Sequence, residues 1–93
     1  MSDIKDRQES ARGQRAAEVL DNPIYQESFI AIRAALMKEF QNTKFKHSDE
    51  RDEIWRKMQT IDWVEKHLRQ VMTSGQVSEQ SIVMRGKQLI KGI

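Results

Sequence analysis

A chain of 93 residues has room for one small domain. It has no cysteine, which excludes a disulfide framework and thiolate metal ligation; no cofactor is expected. The net charge is only +2, no apolar run approaches the roughly 20 residues of a membrane span, and "MSDIKDRQES" lacks a signal peptide's apolar core, so no membrane partner is expected.

Strand signals are nearly absent, since no stretch alternates with period two and no Asn-Gly or Asp-Gly hairpin turn occurs. The expected fold class is all-α: an antiparallel helical hairpin with a flanking N-terminal helix and a weak C-terminal helix or tail. Residues 1–20 read as a partly helical arm, 21–75 as the hairpin core and 76–93 as a basic C-terminal tail.

In the arm, Ala11, Ala16, Ala17, Val19 and Leu20 supply few large apolar groups, so its helix is expected to fray toward Met1. Asp21-Asn22-Pro23 then breaks the pattern. Asparagine caps a helix by accepting a free backbone N–H of the first turn, and proline fits the first helical position, so a new helix starts at Pro23. Proline also disfavours helical geometry at the residue before it. From there Tyr25, Phe29, Ile32, Leu36 and Phe40 recur at helical spacing and predict one buried face, ending near Asn42.

"NTKFKHS" reads as a loop. Ser48 and Asp49 are both suited to cap the next helix, and Asp49, Glu50, Asp52 and Glu53 complement its dipole. Ile54, Met58, Ile61, Val64 and Leu68 form the second stripe, with Trp55 at its border under the first helix and Gly75 as its C-terminal stop. The two stripes predict that Phe29, Ile32, Leu36, Ile54, Ile61 and Leu68 bury one another. Beyond Gly75, Ser78 is the candidate cap of a short helix interrupted by Gly86.

The motifs that carry chemistry are missing. His47 near Asp49, Glu50 and Asp52 fits neither a zinc nor a calcium-loop spacing, and His67 reads as a surface residue. Gly13 stands alone, without a phosphate loop, and Ser10, Ser28 and Ser74 lack a nucleophile's context. Glu65 reads as a border carboxylate, snorkelling or paired with Arg69. The expectation is a chain that is not an enzyme, with no catalytic and no metal residues.

Two helices share one seam and cannot cover every apolar group. Tyr25, Trp63 and Met72 spill outside it, and Ile82, Leu89 and Ile90 are too few and too interrupted for a core of their own. These residues are the expected protein-interaction set. Arg85, Lys87 and Lys91 outweigh Glu79 in the last stretch and form the alternative, nucleic-acid set.

The run "RGQRAAEVLDNPIYQESFIAIRAALMKEFQNT" followed by "DERDEIWRKMQTIDWVEKHLRQVMTSGQV" resembles a group of short bacteriophage-encoded helical proteins. The shared pattern is an Asn-Pro helix start, aromatic and Ile/Leu steps, an Arg ahead of Ile-Trp, and a Val-Glu-x-His-Leu stretch ending at a glycine. The resemblance implies a phage structural or assembly protein from the head and DNA-packaging genes. Its setting would be the host cytoplasm during assembly or the virion, and its partners would be further copies of itself or other phage structural proteins. No catalytic residue transfers with it. The alternatives are a DNA-binding packaging factor similar to a small terminase subunit and an inhibitor of a host protein.

Overall fold

The protein is described by a computed structural model covering residues 2–91, with side chains described over residues 3–87. The described residues are all-α: α1 (Ser2–Asp21), α2 (Pro23–Asn42) and α3 (Ser48–Lys91). They form two compact units: residues 21–66 make one, and residues 1–20 with the chain from His67 onward make the other. The expected arm, 1–20, and tail, 76–93, therefore belong to one unit.

The break before α2 is a side-chain cap. Asn22 is extended (φ −67°, ψ 123°), and its side-chain oxygen accepts the N–H groups of Ile24 at 2.9 Å and Tyr25 at 3.1 Å. Pro23 takes the first helical position, where its missing N–H costs nothing. At the other end, the Thr43 N–H and hydroxyl both donate to the Phe40 carbonyl, at 3.2 and 2.7 Å. α3 begins at Ser48, so Ser48 and Asp49 lie within its first turn and do not cap it. Asp49 and Glu50 still sit at the positive end of its dipole.

In the 21–66 unit, α2 runs against the first part of α3. Leu36 and Ile54 are each 8% exposed and form the centre of the contact. Phe29, Phe40, Met58 and Ile61 are half-buried around them. Ile32, expected in this seam, is instead 45% exposed. Arg33 occupies the seam's edge, where it bridges α2 to Glu65 and Asp62 of α3. Trp55, expected under α2, is exposed as well.

In the other unit, α1 packs against the last part of α3 through small residues. Gly13, Ala16, Leu20, Gly75 and Ser78 are buried there. The Ser78 hydroxyl donates to Glu9 at 2.7 Å, and Arg85 reaches Asp6 and Asp3. Gly75 therefore does not end α3, and Ser78 does not cap a new helix. The glycine's missing side chain admits the backbone of α1, and this packing outweighs its poor helix propensity. The same partner explains why α1 is helical from Ser2 despite its few large apolar groups.

Candidate functional site

The exposed apolar surface is the feature most in need of a role. Among the described residues no large side chain is fully buried, while Ile24, Ile30, Trp63 and Met84 are each more than three-fifths exposed. Leucine-rich cores of ordinary domains look different, because burying such groups is the main favourable term in folding.

The exposure follows from the sequence of α2. Between Phe29 and Met37 every residue is apolar except Arg33. A helix that is apolar on all sides is normally covered on all sides. Here α3 covers one face, and Ile24, Ile30, Ile32 and Met37 are left outside it.

The one charge in that stretch is committed. Arg33 donates to Glu65 and stands 3.2 Å from Asp62. The hydrogen bond with Glu65 raises the Arg33 pKa, partial burial opposes it less strongly, and the two carboxylate charges add to the rise. The cation is thus held within the unit. The border carboxylate Glu65 has a partner in α2, across the helix pair.

The sequence-predicted interaction residues are placed differently from one another. Trp63 is 74% exposed, on the outward side of α3 with Gln59, Asp62 and Lys66 beside it. Tyr25 is half-buried, its ring 4.4 Å from that of Phe29. Met72 and Ile82 are half-buried in the other unit. The side chains of Leu89, Ile90 and Lys91 lie outside the described residues. The described members of this set are divided between the two units. Of the basic set, Arg85 is occupied by Asp6 and Asp3, and Lys87 is exposed.

Ile24, Ile32 and Val64 did not emerge from the sequence as surface residues. Ile32 and Val64 fell within the two stripes, and periodicity alone does not say where a broad stripe meets its edge. Phe45 in the loop is 91% exposed, with the Arg51 guanidinium lying 5.9 Å from its ring centroid and 4.5 Å from that of Phe40. His47 lies 3.7 Å from Glu50, and the described residues contain no group of three or more metal-ligating side chains. No helix among them is long and apolar enough to cross a membrane.

Comparison with protein-family models, curated proteins and solved structures gives no match.

Proposed function

We propose that this chain is a helical protein–protein interaction module that works as a structural or assembly component and not as an enzyme. The observation that carries the reading is the exposure of large apolar side chains: Ile24, Ile30, Phe45, Trp63 and Met84 are each more than three-fifths exposed. Exposed apolar surface of this kind marks interaction sites. The resemblance of residues 12–77 to short phage head-gene proteins supplies the setting, particle assembly in an infected cell.

The nucleic-acid alternative is weakened by Arg85, whose guanidinium is engaged by Asp6 and Asp3. The experiment is quantitative mass spectrometry of purified particles and of head-assembly intermediates from infected cells. Stoichiometric recovery in either fraction supports the proposal. Recovery in neither, with the chain abundant and unbound in the lysate, overturns it.

A further inference from the structure

The two ends of the α1–α3 contact are built differently. The helices run antiparallel: Gly13 meets Gly75, Glu9 meets Ser78, and Asp6 meets Arg85. From Glu9 to Leu20 the contact is packing. The Glu9 carbonyl oxygen and the Gly13 backbone lie against Gly75, and Ala16, Leu20 and Ser78 are buried. Among residues 3–8 none is buried, and the half-buried ones are Asp3 and Asp6. The large apolar residue of that stretch, Ile4, is 65% exposed.

The packing slackens along α3 as well. Gly86 lies eleven residues past Gly75, about three turns, and so faces the same way. A Cβ on Gly75 would stand 2.7 Å from α1 backbone, whereas a Cβ on Gly86 would meet nothing within 4 Å. What joins the first turns of α1 to α3 at this height is charge. Arg85 donates to Asp6 and stands 3.3 Å from Asp3. The Arg85 and Asp3 side chains are 37% and 50% exposed, so water and salt screen the pair. Asp3 also has a cation within its own helix, Arg7 at 3.4 Å, which stays available to it when Arg85 is released. A helical segment this short does not hold its shape in water without tertiary contacts.

We infer that residues 2–8 are a strap that opens and closes on the last turns of α3 while the rest of α1 stays docked. Arg85 is its latch, the glycine crossing is its fixed end, and ionic strength sets its position. Closed, the strap's two carboxylates occupy the Arg85 guanidinium. Open, that cation joins the exposed Lys87 at the surface of α3. The strap thus controls when the basic end of α3 is uncovered.

The test is amide hydrogen exchange of the full chain, read residue by residue by NMR, at low salt and at about 1 M salt, where the screening length is about 3 Å. Amides of residues 6–12 bond to the carbonyls of residues 2–8 and report the strap, and those of residues 17–21 report the docked part. At low salt the strap amides are expected to be roughly tenfold or more less protected than the docked ones. Raising the salt should lower strap protection by a further factor of about three to ten, the equivalent of one or two exposed ion pairs, and leave the docked amides unchanged. Arg85→Gln should cause that loss at low salt and abolish the salt dependence. Arg85→Lys, which keeps the charge, should retain most of both.

Uniform protection along α1 overturns the inference, because α1 would then open as one piece. A strap whose protection ignores both salt and Arg85→Gln overturns it too, since simple fraying needs no latch. The docked amides guard against a variant that loosens the whole unit. If they fall together with the strap in Arg85→Gln, the latch is not local and the inference fails.

Discussion

Gly13 of α1 and Gly75 of α3 touch backbone to backbone: a Cβ built on either would lie 2.7 Å from the other's Cα. A Cβ on Gly75 would also meet the Glu9 carbonyl oxygen at 2.8 Å. Neither glycine has a positive φ, so the requirement is for space and not for an unusual backbone. Backbone atoms cannot rotate away as a side chain can.

Gly75→Ala and Gly13→Ala should therefore each destabilise the unit by about 1–3 kcal/mol, despite the better helix propensity of alanine. Gly86 is the internal control, because nothing lies within 4 Å of a Cβ built there. Gly86→Ala should stabilise by about 0.5–1 kcal/mol. Thermal melts of the three variants check the sign of each change. A rise in melting temperature for Gly75→Ala would contradict the close contact.

Asn22 holds two backbone N–H groups that would otherwise have no helical partner. Asn22→Ala should cost about 0.5–2 kcal/mol, and Asn22→Asp should keep most of the cap. Urea denaturation measures both. Equal midpoints for Asn22→Ala and wild type would show that the cap contributes nothing.

Leu36 and Ile54 are the centre of the 21–66 unit, and Leu36→Ala or Ile54→Ala should each cost about 2–5 kcal/mol. Ile30, 67% exposed one helical face away, should tolerate alanine within about 0.5 kcal/mol. Equal losses at Leu36 and Ile30 would mean that the seam lies elsewhere on α2.

Arg33 joins α2 to α3 at the solvent edge, so screening limits what the ion pairs contribute. Arg33→Met, which keeps the stem, should cost about 1 kcal/mol or less, and the loss should shrink as salt is added. A double-mutant cycle with Glu65→Gln isolates the pair. A coupling energy that is unchanged in high salt would point to packing by the stem in place of charge.

The start of α2 was legible because capping is local: an asparagine followed by proline carries its own instruction. The all-α class was legible for the same reason, from periodicity within each segment. Gly75 was misread because a glycine after Thr73-Ser74 looks like a helix stop, and the residue that keeps it helical, Gly13, lies near the other end of the chain. The role of Arg33 and the exposure of Ile32 were hidden by the uniform apolarity of α2. When a helix is apolar on every side, its period cannot say which flank the neighbouring helix takes; here the two ion pairs of Arg33, with Glu65 and Asp62, mark one edge of the contact.

The pairing of α1 with the far part of α3 also sets an order of events. Arg33 and Glu65 are 32 residues apart, whereas Ser78 and Glu9 are 69 apart and Arg85 and Asp6 are 79 apart. Closing the longer loop costs about 0.6 kcal/mol more for each doubling of its length, and contacts distant in sequence form more slowly. We expect pulse-labelled amides of residues 23–42 to gain protection before those of residues 2–21; the reverse order would refute this. On the ribosome the delay is imposed outright: α1 is made before α3, and Gly13 has nothing to meet until Gly75 has left the exit tunnel. During that interval the α1 of one nascent chain is complementary to the uncovered α3 of another, a route to exchange between copies made on the same message.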